Sequence, residues 1–92
     1  MKNETEKMLE ELTKNNSQLK EYADQYGRQL EAAVAVTELR KNARISQRDL
    51  AEKAGVSKST ITRIEKGNMN PSLKTLDKLG AAVGKHLSIS YD

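Results

Sequence analysis

Cysteine is absent from the 92 residues. That excludes disulfides and any cysteine-based zinc site, so the fold has to stand on packing alone. Phenylalanine and tryptophan are missing as well, the aromatics are three tyrosines, and there are only one proline and five glycines. With 32% charged residues and so few chain breakers, the profile is that of a soluble, mostly helical protein. No apolar run approaches the roughly 18 residues of a membrane span, and the opening MKNETEKMLEEL is too charged for the apolar region of a signal peptide. A cytoplasmic protein is expected. The length gives room for one core and an appendage, and none for a second, catalytic domain.

What is present is an uneven distribution of charge. Residues 1–33 hold five Lys or Arg against seven Asp or Glu, net −2, and residues 34–92 hold eleven against six, net +5. A basic C-terminal two thirds can attract phosphate, although solvated lysine faces are common and charge says nothing of fold.

Apolar residues recur at Met8, Leu12, Leu19, Tyr22, Ala23, Tyr26, Leu30, Ala33, Val34 and Thr37, in steps of three and four that predict helix over 4–38. Asn15, Asn16 and Ser17 interrupt the stripe, so two helices or a frayed start are both open, with Ser17 as a candidate N-cap. Val36, Leu39 and Arg40 close this helix. Ser46 then caps SQRDLAEKA in a capping box with Asp49, and Gly55 stops it. Ser57 caps SKSTITRIEK, which Gly67 ends; after a turn at Asn70 and Pro71, Ser72 caps SLKTLDKLGAAV, which Gly84 ends. Leu87, Ile89 and Tyr91 alternate with polar residues at the period of a half-buried strand. A lone strand must pair with something, and the same strand of a second copy is the economical partner, giving a homodimer.

The functional signal lies in ISQRDLAEKAGVSKSTITRIEKG. Ala51 is small where two helices would cross, Gly55 makes the turn, and Leu50, Val56, Ile61 and Ile64 turn inward. Lys58, Ser59, Thr62, Arg63 and Lys66 remain on the outward face of the second helix, able to donate to base edges and phosphates. The plain alternative is a helical hairpin with a solvated face.

Residues 36–84, in the pattern LR…SQ..LA..AGVS.STI.RIE.G…PS..TL.KL..A.G, resemble the helix-turn-helix domain of the phage repressor and Cro family. The resemblance implies double-stranded operator DNA as ligand, with the second motif helix in the major groove. By position it implies that Lys58, Ser59 and Arg63 contact bases, with Thr62 assisting. It also implies that Gln47 contacts phosphate and braces residue 58, that Ser57, Thr60, Lys66 and Asn68 hold the DNA backbone, and that Arg40 and Glu65 form an internal ion pair. Arg40 as a phosphate ligand is the alternative. The flanks EYADQYGRQLEAAVAVTELRKNARISQ and LGAAVGKHLSISYD are similar to HigA-type antitoxins, repressors of their own operon that silence a RelE/HigB-like ribonuclease toxin. That similarity implies a toxin partner for the stripe Leu12, Leu19, Tyr22, Tyr26 and Leu30. A solitary or prophage repressor without a toxin shares the arrangement, and Tyr22 and Tyr26 read equally as core.

Other chemistry finds no support in the residues. Glu10 with Glu11 and Glu21 with Asp24 have no apolar pocket to shift a pKa, and His86 is a single histidine without cysteine partners. An enzyme, a metal and a cofactor are therefore not expected. The expected fold is mainly α: an N-terminal helical extension over 1–35 for partner binding, a compact helix-turn-helix domain of four to five helices over 36–84, and a short C-terminal β-strand over 85–92 pairing in a dimer.

Overall fold

The computed structural model describes residues 3–8 and 17–92. The chain is mainly helical, as the periodicity predicts: α1 spans Ser17–Asn42, α2 Gln47–Ala54, α3 Lys58–Glu65 and α4 Leu73–Ala82. A short helical stretch at residues 4–8 precedes them, its Glu6 amide donating to Asn3 Oδ1 at 2.7 Å. The interruption expected at Asn15 and Asn16 lies outside the described residues, as do Leu12 and the side chain of Leu19. α1 runs through residues 35 and 36 without a break and ends two residues beyond Arg40.

The starts of α2, α3 and α4 and the ends of α1 to α4 have visible chemical causes. Ser46 accepts from the Asp49 amide at 3.0 Å while the Asp49 carboxylate accepts from the Ser46 amide, a complete capping box. Ser57 and Ser72 cap α3 and α4 by accepting from the Thr60 and Thr75 amides, both at 3.1 Å. In each case the capping hydroxyl also shares a hydrogen bond with the threonine hydroxyl, so an S-x-x-T pattern is used twice.

At the other end, all four helices close with the same pair of backbone bonds, in which two residues past the end reach back to the last turn. After α2 these are Gly55 to Glu52 and Val56 to Ala51; after α3, Gly67 to Ile64 and Asn68 to Arg63; after α4, Gly84 to Ala81 and Lys85 to Gly80. The left-handed residue is glycine in these three, with φ of 71°, 75° and 72°. After α1 it is Arg44, with φ of 58°, where a side chain makes the conformation costly.

The core forms where these short helices meet. Leu50, Ile61, Ile64 and Leu79 are fully buried, joined by Val36 from α1 and by Ala51, whose small side chain sits in the same cluster. α3 packs against both α1 and α2, and α4 closes on α2. Each aliphatic side chain buried in this way contributes about 1.5–3 kcal/mol. Gly80 is also buried, because the tail crosses it: a Cβ there would lie 3.2 Å from the Lys85 carbonyl oxygen.

The strand expected over 85–92 is not formed. These residues have no regular secondary structure, and Tyr91 is fully exposed. The physical reason is the one that made a lone strand unsatisfactory in the sequence: among the described residues no other strand offers an edge to pair with.

Candidate nucleic-acid interface

α3 is two-faced. Ile61 and Ile64 point into the core with no exposed surface, and Lys58, Ser59, Arg63 and Lys66 are exposed on the opposite side. Thr62 lies between Lys58 and Lys66 in the same i, i+4 row and is half-buried. Ser57 and Thr60 stand together at the N-terminus of α3, and exposed Asn68 follows its C-terminus, held by its own amide bond to the Arg63 carbonyl at 2.9 Å. The outward residues singled out in the sequence are thus on one continuous surface around α3.

Beneath that surface runs a polar chain linking three helices. Arg40 of α1 donates to Glu65 of α3 through both Nε, at 2.8 Å to Oε2, and an Nη, at 3.0 Å to Oε1, a two-pronged pair. Its other Nη donates to the Ile45 carbonyl at 3.0 Å. The Arg40 side chain is only 17% exposed and that of Glu65 8%, so Arg40 is an internal group. Burial pushes the Glu65 carboxyl up, but hydrogen bonds from Arg40, Gln47 and Thr37 and the arginine charge outweigh it and hold the group below the ordinary carboxylate range. The hydrogen bond to Glu65 correspondingly raises Arg40, against the opposing effect of burial.

Gln47 departs from the expected arrangement. Its Oε1 accepts from the Thr62 hydroxyl at 3.0 Å, one turn along α3 from residue 58, and no hydrogen bond joins it to residue 58 among the described residues. Thr37 is the residue that sequence reasoning missed. It was counted with the apolar stripe, yet its hydroxyl serves Glu65, and the available signal was its place three residues before Arg40 on the same helical face.

Of the N-terminal candidates, Leu19, Tyr22, Tyr26 and Leu30 fall within α1. Tyr22 is 70% exposed and Tyr26 57%, whereas Leu30 is the point where the helix begins to touch the domain, its Cδ2 lying 3.2 Å from where a Cβ on Gly67 would be. No helix among the described residues is long and apolar enough to cross a membrane.

Residues 36–89 match the family model described as Helix-turn-helix. The chain belongs to the helix-turn-helix family. Within it, the chain is similar to an uncharacterised HTH-type transcriptional regulator of Haemophilus influenzae, 56% identical over 45 residues, covering 49% of this chain and 46% of that protein. It is also similar to the immunity repressor protein of Bacillus phage phi105, 42% identical over 50 residues, covering 54% of this chain and 35% of the repressor. An uncharacterised HTH-type regulator of Methanocaldococcus jannaschii is 50% identical over 40 residues, covering 44% of this chain and 61% of that one. The alignments therefore span less than two thirds of each relative. No solved structure matches the chain.

Proposed function

We propose that the protein is a sequence-specific DNA-binding repressor that lays α3 in the major groove of its operator. The observation that carries this reading is the division of α3 itself, with Ile61 and Ile64 fully buried and Lys58, Ser59 and Arg63 exposed on a surface that has no packing role. Its relatives' names, transcriptional regulators and a phage immunity repressor, support the same reading. Lys58, Ser59 and Arg63 contact base edges, with Thr62 beside them, and Ser57, Thr60, Lys66 and Asn68 hold the phosphate backbone together with Gln47. The test is a pair of substitutions. Arg63→Ala should relax sequence preference, since a bidentate arginine is worth about 1–3 kcal/mol against the wrong base. Lys66→Ala should weaken all duplexes alike and reduce the salt slope by about one unit. Equal weakening on operator and random DNA by Arg63→Ala would refute the assignment.

In this reading residues 36–84 are the DNA-binding domain, residues 85–92 the dimer contact and residues 1–35 the partner-binding extension, in a cytoplasmic protein that is not an enzyme. Leu87, Ile89 and Tyr91 join two copies by strand pairing, and the exposure of Tyr91 in the single chain leaves it free to do so. Removing residues 85–92 should give a monomer with poor operator affinity.

A second, finer reading is favoured by the exposed tyrosines of α1: the protein is an antitoxin whose N-terminal helix occupies a basic RelE/HigB-like ribonuclease, rather than a solitary repressor. Tyr22, Tyr26 and Leu30 supply an apolar face, with Leu12 and Leu19 in the same sequence stripe, on the acidic third of the chain, the sign that suits a phosphate-attracting toxin. Copurification with the product of the adjoining gene, abolished by Tyr22→Ser with Tyr26→Ser, is the test.

A further inference from the structure

The polar chain under α3 has a direction, and the direction fixes what Thr62 can do. An ionised carboxylate only accepts, so Glu65 takes its hydrogens from Arg40, and Gln47 is among the neighbours that hold its carboxyl below the ordinary range. Gln47 presents its oxygen to Thr62, and this oxygen accepts the Thr62 hydroxyl hydrogen at 3.0 Å. A threonine hydroxyl has one hydrogen and two lone pairs, and here the hydrogen is already used. Thr62 is nevertheless half-exposed in the outward row of α3.

We propose that Gln47 is a positioning residue for base readout: by holding the Thr62 hydroxyl hydrogen it leaves Thr62 an acceptor only, selecting a base that offers an exocyclic amino hydrogen. In the major groove those bases are adenine and cytosine, whereas guanine offers only acceptors on its edge and thymine an acceptor and a methyl group. A freely rotating threonine would accept either class. The relay's last bond, from the Thr62 hydroxyl to Gln47, thus turns an ambiguous reader into a selective one. This inference rests on the proposal that α3 reads the major groove.

The test lets the full-length chain and its variants each select duplexes from a randomised pool, with preferences compared position by position and melting followed in parallel. Thr62→Val marks the position that Thr62 reads. Gln47→Ala, or Gln47→Met if the smaller side chain impairs folding, should lower the preference for adenine or cytosine at that same position by roughly fivefold or more and admit guanine there. The positions marked by Arg63→Ala should keep their preference in the Gln47 variants, and Thr62→Ser, which retains the hydroxyl, should select like the unaltered chain. A Gln47 variant that weakens every duplex equally while the marked preference persists overturns the proposal. So does a Thr62→Val profile identical to that of the unaltered chain, or a Thr62→Ser profile that has lost the preference. An unaltered chain that enriches no sequence at all has a different signature, refuting major-groove reading itself and the relay's role with it.

Discussion

Residues 36–84 and the N-terminal part of α1 are made of similar material and end in opposite states. Both are helical with apolar residues in steps of three and four, yet Val36, Leu50, Ile61, Ile64 and Leu79 are buried while Tyr22 and Tyr26 stand in solvent. The difference is the opposing surface. Three short helices and the end of α1 cross in the domain and close a core on one another, whereas among the described residues nothing covers Tyr22 and Tyr26. Periodicity therefore announces a face that needs covering and leaves open which molecule covers it.

The largest test of this contrast is a cavity in the domain. Leu50→Ala should cost about 2–5 kcal/mol, read as a fall in the denaturation midpoint, because the surrounding helices cannot close the space completely. A much smaller loss would mean that the domain is as loosely packed as the helix that leaves it.

Next comes the ion pair. Glu65→Gln should cost about 2–4 kcal/mol at neutral pH, since it leaves an internal arginine without its counter-charge. Because Glu65 is held below its ordinary value of 4.5, its stabilising contribution is fully present above that pH and is lost as pH falls through the lower folded value. Denaturation measured along this acid limb should be less steep in the variant. An equal pH dependence in both chains would show that other carboxyls control acid unfolding.

A smaller effect of opposite sign is expected at the junction between the two regions. Arg44→Gly should raise stability by about 1 kcal/mol, since the left-handed backbone at φ of 58° costs arginine what it does not cost glycine. Thermal melting reads it directly, and a drop in melting temperature would mean that the Arg44 side chain makes contacts that outweigh the strain.

The smallest effect should come from the exposed helix. Tyr22→Ser with Tyr26→Ser should shift the stability of the isolated chain by no more than about 0.5 kcal/mol per site. A loss of several kcal/mol would erase the contrast by showing that the tyrosines are packed in solution.

Most of the fold was legible because its boundaries are local chemistry. Ser46, Ser57 and Ser72 cap where they were read, and Gly55, Gly67 and Gly84 carry the positive φ assigned to such stops. The fourth closure escaped notice because Arg44 occupies the place where glycine is the usual signal. The exposed row of α3 followed from helical spacing alone, but the Gln47 to Thr62 bond did not, since which turn of α2 faces which turn of α3 depends on their crossing. The tail was misread in the single chain for a related reason: alternation reports that residues suit a strand, while a strand also needs an edge.

The crossing of the tail over Gly80 sets a limit of a different kind, one of reach. Lys85 is fastened by its amide to the Gly80 carbonyl at 2.9 Å, with its own carbonyl oxygen so close that a Cβ at residue 80 would press on it at 3.2 Å. Residues 86–92 therefore depart from a fixed origin and, fully extended, travel about 25 Å at most. Whatever edge receives Leu87, Ile89 and Tyr91 must lie inside a sphere of that radius centred on the end of α4. A strand tethered in this way can pair only with an edge that a second molecule brings up to that end of the domain.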